Sequence, residues 1–242
     1  MQDLTYDPTK TKIIACETVL EEILPILPQG MAYEVLDFGL HLIPNNLKEI
    51  LQLTIDNQDG ELKTLILGYG LCSMAIVGLQ TRNYTLVIPR VDDCIAIFLG
   101  SKNAYSEQAK KEPGTYYLTK GWIEVGDTPF AEHERLVEKH GKEFADRIIG
   151  IVLKHYTRLA YIDTGPKDQE RYREYAQLTA RKFNLRFEEI IGSDKLIRKL
   201  LYGPWDEEIL VVPPGRTIEY FDFKTSAATI SNTWSVHSKV NG

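Results

Sequence analysis

Short apolar runs, each closed by turn residues and followed by a helical pattern, constrain this chain more than any other feature. Leu65-Ile66-Leu67 and Thr85-Leu86-Val87-Ile88 are apolar almost throughout, with none of the alternation of a half-solvated strand. Such strands are buried on both faces, as in a parallel sheet covered by helices. The same rhythm begins with Lys12-Ile13-Ile14-Ala15, which runs into Cys16 and a helix from Glu17 carrying Val19, Leu20, Ile23 and Leu24. Residues 33 to 40 read as a second strand, and Asn45 opens a helix bearing Leu47, Ile50, Leu51 and Leu53. A turn or short helix is expected over 73–79, and Asp92-Asp93 offers an N-cap for a helix over 94–99 stopped by Gly100.

The second half repeats the logic. Leu159 to Ile162, Leu185 to Ile191 and Ile209 to Val212 read as strands, with helices from about Asp168 to Phe183 and after Ser193-Asp194. Phe130 to His155 carries one apolar stripe, which predicts a single long helix bridging the halves. Residues 113–122 are aromatic-rich and extended, suiting a surface flap or an edge strand. The expected architecture is α/β: two Rossmann-like βαβ halves with largely parallel sheets, bridged by that helix. The halves are set at residues 1–125 and 126–225, with 226–242 a flexible C-terminal tail rich in Ser, Thr and Asn. No internal repeat is visible.

Composition excludes several function classes. With 28 Lys and Arg against 34 Asp and Glu, the formal net charge is −6, and no basic run exceeds two residues. A surface tracking nucleic-acid phosphates is therefore not expected. No apolar run approaches the roughly 20 residues of a membrane helix, and the N-terminus lacks the pattern of a signal peptide, so a cytoplasmic location is expected.

Three cysteines are too few for a disulfide framework. Cys16, Cys72 and Cys94 each follow a short apolar strand by a few residues, so all three fall in βα loops. Open α/β sheets bind ligands at that rim, outside the carboxyl ends of the strands. A thiol at a helix start has its pKa lowered, and three converging thiolates suit zinc or three irons of a [4Fe–4S] cluster with one position open to substrate. The competing readings are three buried core thiols, and one nucleophilic cysteine without metal.

Other residues frame this rim. Gly68, Tyr69, Gly70 and Ser73 suggest a turn where backbone approaches a ligand, or only a sharp strand exit. Arg90 is expected either to clamp a substrate anion or to pair with Asp92 or Asp93. Asp92 and Asp93 are helix-capping candidates that can also move protons. Asp163, Thr164 and Gly165 end a second-half strand and are expected to face the cysteines across a cleft. His133 and His140, seven residues apart, are about 10.5 Å apart along a helix and cannot share one metal. His41 is the one histidine placed to act as a fourth ligand. Tyr116, Tyr117 and Trp122 either close over a ligand or pack on the sheet.

The segments Ile13-Ile14-Ala15-Cys16-Glu17-Thr18, Gly68-Tyr69-Gly70-Leu71-Cys72, Ile88-Pro89-Arg90 with Asp93-Cys94-Ile95, and Pro113-Gly114-Thr115-Tyr116-Tyr117-Leu118-Thr119 with Gly121-Trp122 form one set. Together with Tyr161-Ile162-Asp163-Thr164-Gly165 and Val211-Val212-Pro213-Pro214-Gly215, the set resembles the domain-of-unknown-function family sixteen thirty-eight. The resemblance spans nearly the whole chain. It implies a setting in methanogens and other anaerobes, often beside corrinoid methyl-transfer genes, and so corrinoid methyl-transfer proteins as partners of a small-molecule reaction. It also implies a histidine in many members where this chain has Asp92. A looser likeness to quinolinate synthase and the diphthamide-synthesis enzymes implies a three-cysteine [4Fe–4S] cluster and lyase-type chemistry. The zinc site of cobalamin-dependent methionine synthase is similar in its three thiolates and implies methyl transfer to a thiol. A metal-free accessory protein and a metal-delivery factor are the readings from other classes.

Overall fold

The computed structural model describes residues 7–58, 60–125, 128–165 and 169–224. The elements in chain order are β1 (Thr11–Cys16), α1 (Glu17–Ile23), β2 (Ala32–Leu36), α2 (Pro44–Asp56), β3 (Thr64–Gly68), β4 (Thr85–Pro89) and α3 (Cys94–Phe98). They continue with α4 (Lys102–Lys111), β5 (Thr115–Leu118), α5 (Lys120–Val125), α6 (Pro129–His140), α7 (Lys142–Val152) and β6 (Arg158–Asp163). The last are α8 (Gln169–Lys182), β7 (Arg186–Ile191), α9 (Lys195–Tyr202) and β8 (Ile209–Val212). Mixed α/β with mostly parallel sheets is thus what the sequence encodes.

The chain packs as two units. The first contains residues up to Ile97 and from Lys195 onward, and the second Phe98–Asp194. The sequence placed a boundary near 125; packing places it just after Cys94, and the last strand returns to the first sheet. In the first unit the strand order is β2-β1-β3-β4-β8, parallel except for β8, which runs antiparallel against β4. Ile13, Ile14, Ala15 and Leu65, Ile66, Leu67 are fully buried, as double-sided helix cover requires. Helix α2 presents Leu47, Leu51 and Ile55 to the core at helical spacing.

The second unit holds a parallel sheet of order β5-β6-β7. Its core gathers Leu118, Phe130, Ile149, Leu159, Tyr161 and Ala176. The aromatic segment forms edge strand β5, and its rings pack inward: Tyr116 meets Phe130 and Tyr156, and Trp122 stands edge-on to Phe98 at 5.8 Å.

Several expectations are corrected. The single helix over 130–155 is two, α6 and α7, and both lie within the second unit rather than bridging. Gly141 at φ 84° ends α6, with its N–H donating to Val137 O, and the chain restarts directly. The apolar stripe continues across this break, which hides it from periodicity. The second strand stops at Leu36 rather than Leu40, because Asp37 accepts from the Gly39 N–H at 2.6 Å and starts a 3-10 turn over Phe38–Leu42. The expected tail at 226–242 lies outside the described residues. Among the described residues no helix is long and apolar enough to cross a membrane.

Candidate functional site

From β1 the chain passes outward to β2, then returns past β1 to β3 and β4. The order reverses between β1 and β3, and in open α/β sheets the crevice at such a reversal is where ligands bind. Cys16 is the last residue of β1, Cys72 lies four residues beyond β3, and Cys94 opens α3 after β4. All three therefore reach one rim of one sheet, as the spacing predicted.

Close backbone approach draws these loops together. The Leu71 N–H donates to Val91 O at 2.9 Å and the Cys72 N–H to Asp92 O at 3.1 Å, so the exits of β3 and β4 are tied. A Cβ on Gly70 would stand 2.8 Å from Val91 O and 3.0 Å from the Asp93 nitrogen. One on Gly68 would stand 2.8 Å from the Ala15 Cβ, beside Cys16. The space at both glycines is thus filled by the chain itself, so the sharp strand exit alone accounts for glycine at both positions. Gly70→Ala is expected to part the two cysteine loops and cost about 1–3 kcal/mol, the range for overpacking a close-packed site. Urea denaturation measures it, and a change below about 0.5 kcal/mol would show that the loops have slack.

Residues 72–74 carry the site's backbone strain. Cys72, Ser73 and Met74 have φ of 43°, 55° and 75°, three successive non-glycine residues in the left-handed region. Each costs on the order of 1–2 kcal/mol, and such strain collects at functional loops. Ser73 is exposed here.

The thiols act on one another. Burial pushes the Cys94 thiol well up, and Cys16, Cys72 and Asp93 push it further. Burial, Cys16 and Asp93 likewise raise Cys72. Burial raises Cys16, partly offset by a 3.3 Å contact between its Sγ and Thr18 Oγ1. The lowered thiol pKa expected at helix starts is overturned: α1 has seven residues and α3 five, too short a dipole to outweigh burial and like charge. Among the described residues no group of three or more His, Cys, Asp or Glu is gathered so as to hold a metal ion as it stands. Three soft donors beside a carboxylate, with Cys16 and Asp93 raising both Cys72 and Cys94, nonetheless fit a thiophilic cation, which reverses that repulsion. Cys72 and Cys94 are half-buried, so the trio is not sealed from solvent.

These directions set a pH dependence. Each folded thiol holds its proton beyond the ordinary value of 9.0, so an unfolded chain loses protons first as pH rises. The metal-free protein is expected to keep full stability below about pH 9 and to lose up to about 1.4 kcal/mol per thiol per pH unit above it. Melts from pH 7 to 10.5 in chelator check this; a flat profile would contradict it.

The remaining predicted residues each have partners of their own. Arg90 is 9% exposed, and its Nη1 donates to Asp222 O at 2.8 Å, while Arg216 pairs with the Asp222 carboxylate. It anchors the chain's return segment, and neither expected role, an anion clamp nor a bridge to Asp92 or Asp93, describes that contact. Asp93 Oδ1 caps α3 by accepting from the Ile95 N–H at 2.9 Å. Asp92 stands 3.7 Å from Lys224 Nζ. Asp163, Thr164 and Gly165 belong to the second unit, where Asp163 accepts from the Gly165 N–H and pairs with Arg173 at 3.3 Å. His133 is buried and meets Asp146 through Nε2 at 2.8 Å.

Two rim residues gain weight from the structure. Tyr69 is 1% exposed, and an ionised Tyr69 would feel Cys16, Cys72 and Cys94 together, which with burial holds its hydroxyl well above the ordinary range. The ring of His41 stacks on Tyr69 with centroids 5.8 Å apart. The sequence offered Tyr69 as a substrate-binding residue of the turn at 68–70, but gave no sign of its burial or of its stack on His41.

The sequence profile of the family described as "Protein of unknown function (DUF1638)" matches residues 35–201, more than half of the chain. The chain belongs to the DUF1638 family. The matched stretch contains His41, Tyr69, Cys72 and Cys94, whereas Cys16 precedes it. No curated protein and no solved structure matches this DUF1638 chain.

Proposed function

We propose that this DUF1638 protein is a metal-dependent enzyme in which Cys16, Cys72 and Cys94 hold zinc or a [4Fe–4S] cluster with one coordination position open to a small substrate. The observation that carries the reading is the convergence of three thiols at the strand-order reversal, where Cys16 and Asp93 act on both Cys72 and Cys94. When bound, the metal supplies Lewis acidity toward a soft donor such as a substrate thiol, for transfer or lyase chemistry. Cys16, Cys72 and Cys94 would hold the metal, and the strained loop at 72–74 would be free to relax as Cys72 took up its place. Asp92 and Asp93 stand beside the trio in the loop that also carries Cys94, where a carboxylate can take up a substrate proton. A corrinoid methyl-transfer protein is the partner class that the family resemblance suggests, and a cytoplasmic setting fits free thiols.

A metal-free accessory protein using the same crevice is the second reading, favoured by the absence of a pre-gathered donor set among the described residues. A metal-delivery factor is the third, and it would surrender its metal readily to chelator. Titrating the reduced, metal-free chain with zinc tests the first against the second. Uptake of about one equivalent with proton release supports the enzyme reading. No uptake leaves the accessory reading.

A further inference from the structure

Tyr69 leaves β3 directly after Gly68, and His41 lies in the 3-10 turn that follows β2. Strands β2 and β3 flank β1, whose last residue is Cys16. The two rings thus meet from either side of the strand that ends in the first cysteine, stacked at 5.8 Å with an interplanar angle of 23°. Phe38 backs the imidazole at 5.2 Å. Tyr69 Oη and His41 Nε2 are both sealed from solvent, and neither has a hydrogen-bond partner among the described residues. Sealing one such polar atom is unfavourable, and two on stacked rings beside a thiol cluster call for a common partner.

We infer that Tyr69 Oη and His41 Nε2 recognise the uncharged polar end of the substrate whose sulfur is held at the cysteine trio. The substrate class is a short thiol bearing a hydroxyl or amide. This rests on the proposed function for the sulfur end, while the polar end stands on the two sealed atoms. Burial lowers the His41 pKa, so the imidazole is neutral near pH 7 and pairs with a neutral group. The Asp93 carboxylate acts on Cys72 and Cys94, and its negative charge disfavours a carboxylate-bearing thiol.

Calorimetric titration of the full chain with ethanethiol, 2-mercaptoethanol and 3-mercaptopropionate tests this. The variants are Tyr69→Phe and His41→Phe, each of which keeps a ring and removes the polar atom. The wild type is expected to bind 2-mercaptoethanol about tenfold more tightly than ethanethiol, one hydrogen-bonded group's worth, and each variant is expected to lose most of that preference. Both variants are expected to melt at or above the wild-type temperature, since the polar atoms serve no contact within the fold. Equal binding of the two neutral thiols to wild type, an unchanged preference in both variants, tightest binding of the carboxylate, or a marked loss of stability in both variants would overturn the inference. Cys94→Ser separates the two proposals. If it binds all three thiols as wild type does while the hydroxyl preference persists, the thiol site fails and the Tyr69–His41 recognition stands.

Discussion

On the proposed three-cysteine site, zinc is expected to stabilise this protein, Cys94→Ser is expected to abolish that gain, and Cys16→Ser and Cys72→Ser are expected to do the same. A ligand that binds only the folded state at about a thousand times its Kd stabilises by about 4 kcal/mol. For a chain of this length each kcal/mol shifts the melting temperature by about 2–4 °C, so zinc should raise that of wild type by roughly 8–16 °C. With one of three thiolates gone the gain should fall to a few degrees. Serine is nearly isosteric with cysteine, so in chelator Cys72→Ser and Cys94→Ser should melt close to wild type, while Cys16→Ser should melt somewhat lower because it puts a hydroxyl at a buried position. Melting curves with zinc and with chelator give all four values. Equal zinc shifts in wild type and all three variants would show that the metal binds elsewhere.

Arg158→Met is expected to destabilise the second unit by about 3 kcal/mol, for reasons unconnected with the site. Arg158 is fully buried at the start of β6 and uses three arms of its guanidinium: Nε to Thr115 Oγ1 at 2.8 Å, Nη1 to Glu188 Oε2 at 3.0 Å, and Nη2 to Gln108 Oε1 at 3.1 Å. It thereby ties β5, β6, β7 and α4 together. Breaking a buried charge pair from one side costs about 3–5 kcal/mol. The low end applies, because Glu188 is partly exposed and keeps Arg186 at 2.7 Å. Methionine fills the volume without replacing the bonds, and lysine cannot match three acceptors in a planar fork. Chemical denaturation measures the loss, and a cost under about 1 kcal/mol would show that water or repacking satisfies the three acceptors.

The parallel strands were legible because β1, β3, β4 and β6 are buried on both faces and read as unbroken apolar runs. The convergence of Cys16, Cys72 and Cys94 on one rim followed from their places after three such strands. What the pattern concealed depends on long-range pairing. Ile209–Val212 reads the same whether it extends the second sheet or returns antiparallel to β4. Arg90 was expected to clamp an anion or to pair with Asp92 or Asp93, because the Asp222 carbonyl it bonds lies 132 residues away. Gly141 carried its C-cap signal, yet the apolar stripe on either side masked it. The roles of Gly68 and Gly70 emerge only once the neighbouring loops are seen to occupy their Cβ positions. Likewise, the stack of His41 on Tyr69 requires knowing that β2 and β3 flank β1.

The central claim, that three cysteines from three βα loops hold one metal centre, is tested most directly by anaerobic purification. Elemental analysis and an absorption spectrum would be taken of wild type and Cys94→Ser. Wild type should carry metal: either one colourless zinc per chain, or about four irons with a broad band on the order of 400 nm, as thiolate-bound clusters show. Cys94→Ser should lose that metal. A wild type without metal, indistinguishable from Cys94→Ser, would contradict the claim.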